Sequence, residues 1–211
     1  MSAARLPPVL LALTPGDAAP DLPARVARAA AAGLRGVLLR EPRLEDSAVL
    51  ALADELARAL APWPGAWLGL HDRPHLAGAS GVQGVHLGGR SLAPGEVRAW
   101  LPAGVALGLS SHAGDPPARW RAADYLLHAP YGRVPGKGEP LGVEGLRAAV
   151  AAAACPLWAL GALSPDDVGA VLGAGARGVA ALRGLLGAPD PAEATRRWCS
   201  ALAACGASMP P

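Results

Sequence analysis

Phenylalanine is absent from this 211-residue chain, and aromatic residues of every kind make up only 4% of it. Charge is also sparse, at 17% of residues, and the net value of +2 is spread along the chain with no basic block. A nucleic-acid surface is therefore disfavoured, because such surfaces concentrate lysine and arginine. The three cysteines, Cys155, Cys199 and Cys205, are odd in number and lack the paired spacing of a metal site. They read as small buried hydrophobes in a reduced, cytoplasmic compartment, not as a disulfide framework. No apolar run reaches membrane-spanning length before glycine, proline or a charge interrupts it. The run near the start follows two prolines and is only about six residues long, too short for an export signal and well suited to a first strand.

Alanine, glycine and proline fill the space, with 27 glycines and 22 prolines. This composition points to GC-rich coding and weakens arguments from propensity, since alanine serves in helix, strand and loop alike. Hydrophobic content of 52% makes a large core easy to bury and disorder unexpected. Short apolar runs predict strands at Val9–Thr14, Gly36–Glu41, Ala66–Asp72, Gly84–Gly88, Ala106–His112, Tyr125–Pro130, Pro156–Leu163 and Gly178–Arg183. Helical stretches lie between them at Leu22–Ala32, Ser47–Ala61, Pro74–Ala79, Pro94–Leu101, Asp115–Ala122, Val143–Ala153, Pro165–Leu172 and Pro191–Ala204.

Continuous apolar strands separated by helices predict a parallel sheet covered on its outside. Eight such units predict a closed (β/α)8 TIM barrel, an α/β fold, as a single domain over 1–211, with its core at about 9–204 and a frayed tail at 206–211. The caps agree. Ser164-Pro165-Asp166-Asp167 places a capping serine, a proline and two acids at a helix start, and Asp190-Pro191-Ala192-Glu193 has the form of a capping box. Gly33 and Gly175 stand where helices should stop.

In a parallel barrel all strand C-termini open on one face, where functional groups gather. The polar residues at those ends are Thr14, Arg40 with Glu41, His71 with Asp72, His86, Ser110 to His112, His128 with Tyr131, then Gly161 and Arg183. A lone strand histidine is more often a hydrogen-bonded core residue than a catalyst. Four of the five histidines at one end favour a functional mouth, while leaving the roles of His86 and His128 open. No metal is expected from them: there is no His-x-His chelate, and His71 and Asp72, as strand neighbours, should point to opposite faces. The phrases around Gly161-Ala162 and Arg183-Gly184 each follow a strand, and small residues there let backbone N–H groups approach a phosphate. A short helix N-terminus at that place would add its dipole. Plain turn formation explains the same glycines equally well. A glycine-rich loop, Tyr131 to Glu139, brings Lys137.

The chain resembles the thiamine phosphate synthase and TenI family from the first strand to the eighth. The likeness runs through Leu39-Arg40-Glu41, Asp72-Arg73, Gly84-Val85-His86-Leu87-Gly88, Ser110-Ser111-His112, Ala123-Asp124-Tyr125, Pro140-Leu141-Gly142-Val143-Glu144-Gly145-Leu146 and Ala174-Gly175-Ala176-Arg177-Gly178-Val179-Ala180. Each phrase is weak alone; their order and spacing are specific together. The departures matter as well. The family synthases' Gln-x-Arg-Glu-Lys phrase, whose Arg and Lys hold a pyrophosphate, is Leu38-Leu39-Arg40-Glu41-Pro42 here. Their Asn-Asp pair, serving pyrimidine and magnesium, is His71-Asp72, and their second magnesium carboxylate falls at Gly89-Arg90-Ser91. Their Thr-Pro-Thr-Lys-like loop becomes Val134-Pro135-Gly136-Lys137.

These departures point to the TenI branch: a thiazole tautomerase, an isomerase that aromatises a carboxythiazole phosphate by proton transfer. The resemblance gives the proton shuttle to His112. Arg40, His71, Asp72, Ser110 and Lys137 would bind substrate, and Gly161, Ala162, Arg183 and Gly184 the phosphate, with no cofactor. The alternative is a thiamine phosphate synthase, a Mg²⁺-using transferase that joins an aminopyrimidine pyrophosphate to thiazole phosphate and has rebuilt its pyrophosphate site from Arg73, Arg90 or Arg133. A third reading is a binding or regulatory protein without turnover. Small phosphorylated molecules are the expected partners in each case, with no nucleic acid or membrane; a homo-oligomer stays open.

Overall fold

The computed structural model describes residues 4–207. Eight parallel strands close into one barrel in chain order. They are β1 (Leu10–Leu13), β2 (Gly36–Leu39), β3 (Trp67–His71), β4 (Gly84–Leu87), β5 (Ala106–Ser111), β6 (Tyr125–His128), β7 (Leu157–Leu160) and β8 (Gly178–Ala181). The ring closes through β8 and β1, with Leu11 opposite Ala180. All eight expected strands are present. Each is shorter than its apolar run because the last residues leave the ladder for the mouth.

The helices are α1 (Leu22–Ala31), α2 (Asp46–Leu60), α3 (Ala77–Ser80), α4 (Pro94–Arg98), α5 (Gly142–Ala152), α6 (Val168–Gly173) and α7 (Pro191–Ala204). Single 3-10 turns precede α3 and α6. The helix expected over Asp115–Ala122 is only a 3-10 turn, Pro117–Trp120. Pro116 and Pro117 each disfavour helical backbone at the residue before them, so no helix can begin before Pro117, and Pro116 is extended. Asp190 caps α7 by accepting from the N–H groups of Ala192 and Glu193. No capping box forms there, because Glu193 turns to Arg196 instead. At 164–167 the box does form: Asp167 accepts from both the N–H and the hydroxyl of Ser164. Gly33 (φ +112°) and Gly175 (φ +94°) end their helices in the left-handed region, as expected.

With no phenylalanine available, two tryptophans and a tyrosine fill the barrel's interior. Trp67, Tyr125 and Trp158 are fully buried and form edge-to-face pairs with centroids 6.1 and 5.8 Å apart. Each ring lies over glycine on a neighbouring strand. A Cβ on Gly84 would stand 2.3 Å from Trp67, and one on Gly108 would stand 2.1 Å from Tyr125. The repeated glycines of the strands are thus the holes into which the large rings fit. Residues before β1 close the barrel floor: the indole N–H of Trp67 donates to Arg5 O at 2.8 Å, and that of Trp158 to Pro8 O at 2.9 Å.

Two expectations need correction. Cys155 and Cys199 are half-buried, but Cys205 is exposed and does not serve the core. In the tail, Gly206 and Ala207 bond back to α7 through Ala203 O and Leu202 O, so these two are not frayed. Residues 208–211 lie outside the described residues.

Candidate active site

The strand C-termini surround a cavity of about 760 Å³. Every residue assigned from the sequence to a site lines it: Arg40, His71, Asp72, Ser110, His112, Lys137, Gly161, Ala162, Arg183 and Gly184. Lys137 is the chain's only lysine. Arg90 and Arg133 line the cavity too, making five cationic side chains around one carboxylate, Asp72. Arg73, the other arginine weighed for this role, is committed elsewhere, donating to Asp46 Oδ1 at 2.6 Å and to Leu44 O at 2.5 Å.

Local chain geometry sets several of these positions. Thr14 accepts the N–H of Arg40 at 2.8 Å, and the buried carboxylate of Glu41 accepts the N–H groups of Gly16 and Ala18 at 3.1 and 2.7 Å. The loop after β1 is thereby fastened beside Arg40. His71 and Asp72 do not point to opposite faces as expected; both line the mouth. Asp72 has already left the strand and sits at φ +59°, a conformation that redirects its side chain and is rare for a non-glycine residue. Its carboxylate accepts from the hydroxyl of Ser91. Contrary to the expectation that no histidines share a chelating spacing, His71 and His75 stand at His-x-x-x-His spacing, yet they make no chelate, since His75 bonds Asp46 on the outside at 2.7 Å.

The four histidines divide. His71, His86 and His112 line the mouth, whereas His128 does not. His128 pairs across the ladder with Ser111, accepts or donates at Nδ1 to the Ser111 hydroxyl at 2.8 Å, and packs against Trp120. Side chains alternate along a strand, so Leu127 takes the mouth position and His128 turns outward. Burial, assisted by the positive charge of Arg40, pushes the His71 pKa down to about 4. Burial, assisted by His112, does the same to His128, also to about 4. His86, wholly enclosed, is held well below the ordinary histidine range by burial and then by His71. These imidazoles are neutral at physiological pH. His112 is the first residue beyond β5, 39% exposed at the side chain; its N–H donates to Asp115 at 2.9 Å and its ring lies 3.8 Å from the same carboxylate. Arg119 ties this turn to the next loop, donating to Gly89 O at 2.9 Å.

Across the ring, Gly161 (φ +107°) and Ala162 (φ +49°) both adopt left-handed conformations after β7. Among the described residues, the N–H groups of Gly161, Ala162, Arg183 and Gly184 have no acceptor in the protein. Residues 182–190 form turns, not the short helix expected after β8, so no helix dipole contributes there. An anion in this corner would meet unpaired backbone donors and Arg183.

In a closed ring of eight, the loop after β4 faces the loop after β8, and that after β3 faces that after β7. Arg90 therefore stands across the mouth from Arg183 and Gly184, and Asp72 across from Gly161 and Ala162. Cationic side chains and unbonded backbone N–H groups thus occupy both sides of the mouth, with room between them. Among the described residues no group of three or more His, Cys, Asp or Glu side chains could hold a metal on its own. Among the described residues no helix is long and apolar enough to cross a membrane.

Two of the phrases that carried the resemblance gain physical reasons here. Asp124 accepts the Leu107 N–H at 2.8 Å and pairs with Arg98, locking β5 to β6, while Tyr125 beside it fills the barrel over Gly108. What the sequence missed was the part played by Tyr125 inside the barrel, which could have been sought in the glycine facing it on β5.

The thiamine-phosphate synthase of Thermus thermophilus is 38% identical over 177 residues, covering 82% of this chain and 84% of its own. That of Acidothermus cellulolyticus is 37% identical over 195 residues, covering 87% and 89%. Among solved structures, the thiamine phosphate pyrophosphorylase of Pyrococcus furiosus superposes with a TM-score of 0.82 at 23% identity, covering 93% of this chain and 96% of that one, a likeness of fold. The sequence profile of the TMP-TENI family, described as thiamine monophosphate synthase, matches residues 10–185, and with these relatives it establishes that the chain belongs to that family.

Proposed function

We propose that this protein is a thiamine-phosphate-synthase-type transferase, which joins an aminopyrimidine bearing a pyrophosphate leaving group to a thiazole bearing a phosphate. One observation carries the reading: the mouth opposes two anion-holding sides, with five cations and a set of unpaired backbone N–H groups around a single carboxylate. A carboxythiazole phosphate also presents two anionic groups, but its single carboxylate calls for fewer cations than a pyrophosphate does. The similarity to proteins named thiamine-phosphate synthases also supports the transferase over the tautomerase favoured by the sequence departures.

In this reading Gly161, Ala162, Arg183 and Gly184 hold the thiazole phosphate through the backbone. Arg40 and Arg90, away from that corner, would hold the pyrophosphate, with Arg133 and Lys137 reaching it from the loop after β6, in place of the glutamine and lysine absent from 38–42. The thiazole nitrogen attacks the pyrimidine methylene carbon as the bond to the pyrophosphate oxygen breaks. Positioning and charge stabilisation are the protein's contribution, and Ser110 and His71 are placed to orient the pyrimidine. Mg²⁺ commonly binds through one or two carboxylates with water and substrate phosphate oxygens completing its shell, and Asp72, with Ser91 fixed against it, suits that limited role. When bound, the ion would neutralise charge on the departing pyrophosphate. The expectation of no cofactor belongs to the isomerase reading, whereas the transferase reading takes Mg²⁺.

A second reading keeps the isomerase, favoured by one feature: His112 stands at the mouth with Asp115 beside its ring, as a proton shuttle would. The two separate in one assay series. Purified protein should form thiamine phosphate from the two substrates only with Mg²⁺ present. Aromatisation of the carboxythiazole phosphate without condensation, in the absence of Mg²⁺, would establish the isomerase instead, and ligand binding with neither product would leave a binding protein.

A further inference from the structure

Below the mouth lies a polar path that neither reaction has used. His86 is wholly buried on β4, and its Nε2 shares a 2.9 Å hydrogen bond with Ser110 Oγ at the cavity wall. Its other ring nitrogen, Nδ1, is buried without a partner. The hydroxyl of Tyr125 is likewise buried without a partner. The two rings are neighbours, centroids 5.5 Å apart and tilted by 37°. An unpaired buried polar atom costs about 1–3 kcal/mol. Two such atoms on adjacent rings therefore point to one missing link, made directly or through one internal water.

We infer that Tyr125, His86 and Ser110 form a directional hydrogen-bond chain in which the phenol donates toward His86 Nδ1, His86 Nε2–H donates to Ser110 Oγ, and the Ser110 hydroxyl is thereby left as a donor facing the mouth. The direction follows from the phenol. Its single proton needs an acceptor, and Nδ1 is the unpaired atom on the neighbouring ring. The reverse polarity would aim Nδ1–H at the phenol oxygen and leave the phenolic proton unpaired in the barrel interior, the costlier arrangement. A bridging water transmits the same direction, accepting from the phenol and donating to Nδ1. Both rings stay in the required state: burial keeps His86 neutral and the Tyr125 hydroxyl protonated. The arrangement is cooperative, because each donor polarises the next.

Tyr125 and His86 are positioning residues in this scheme, acting on Ser110 without touching a ligand. The consequence is chemical selection at the wall: a ligand atom beside Ser110 should be an acceptor, such as a ring nitrogen or an anionic oxygen. The inference stands whichever reaction the mouth performs.

Imidazole nitrogen resonances of ¹⁵N-histidine-labelled protein provide the test. His86 should carry its proton on Nε2, with Nδ1 shifted as a hydrogen-bonded acceptor. Tyr125→Phe keeps the ring over Gly108 and removes only the hydroxyl; the Nδ1 resonance should then move to the position of an unbonded nitrogen. Ser110→Ala should shift the Nε2 proton, and Ser110→Thr should restore it. A His86 protonated at Nδ1 in the unsubstituted protein overturns the proposal, and so does a His86 spectrum unchanged by Tyr125→Phe. If Tyr125→Phe does not fold, the tautomer of the unsubstituted protein decides alone.

Discussion

Arg40 and Arg183 illustrate how two guanidinium groups in one mouth can differ in consequence. Arg40 lines the mouth beside a loop fastened by Glu41, and on the proposed reading it would hold the pyrophosphate through its side chain alone. Losing a hydrogen bond to a charged group costs about 1.5–3 kcal/mol, so Arg40→Gln should raise KM for the pyrophosphate substrate by roughly 10- to 100-fold with the melting temperature unchanged. Arg183 shares its corner with unpaired backbone N–H groups, which Arg183→Ala leaves in place. Arg183→Ala should weaken phosphate-ligand affinity by less than about tenfold, measurable by calorimetry. His112→Asn divides the two reactions at the same scale. Condensation should stay within about tenfold of the parent rate, whereas a proton shuttle would lose about 10²- to 10⁴-fold. The sequence placed all of these residues in the mouth because strand ends in a parallel barrel share a face. It misjudged Asp72 and His128, and for local reasons: a left-handed residue breaks strand alternation at the first, and strict alternation turns the second outward.

At the scale of the strand, glycine is where packing is least forgiving. A Cβ on Gly178 would lie 2.1 Å from Val9 O and 2.7 Å from the Trp158 indole nitrogen. Neither can retreat, the first being backbone and the second bonded to Pro8 O. Gly178→Ala should cost at least about 3 kcal/mol, the upper end of ordinary overpacking, and lower Tm by roughly 6–12 °C. Gly95, with nothing near it on the exposed face of α4, is the control: Gly95→Ala should leave stability unchanged or raise it by up to about 1 kcal/mol. Chemical denaturation of both variants checks the pair. The strands and long helices were legible because their apolar runs and caps are local signals. The turn over Pro117–Trp120 was not, since alanine and arginine there fit a helix as well as a turn and the prolines upstream decide it. The shape of each interior glycine's neighbour was also out of reach, because it belongs to another strand.

For the molecule as a whole, three neutral histidines couple stability to pH. Burial depresses His71 and His128 to about 4, against an ordinary value of 6.5, and His86 falls well below it. Between those values the unfolded chain binds protons that the native barrel refuses, so stability is complete above about pH 6.5 and declines as pH falls toward 4. Each histidine contributes a slope of up to about 1.4 kcal/mol per pH unit. Urea unfolding at pH 7.5, 6 and 5 should show a midpoint falling steadily with pH, and His128→Gln should flatten part of that fall. By itself, the sequence determined the barrel, its eight units and the face on which function gathers, because these follow from periodicity, caps and the handedness of parallel connections. Only the tertiary structure decided which cations meet. Arg73 and Arg90 look alike in sequence, yet Asp46 on α2 takes the first and the closing of the ring sets the second across from Arg183. That decision rests on contacts between segments far apart in the chain, which no local pattern encodes.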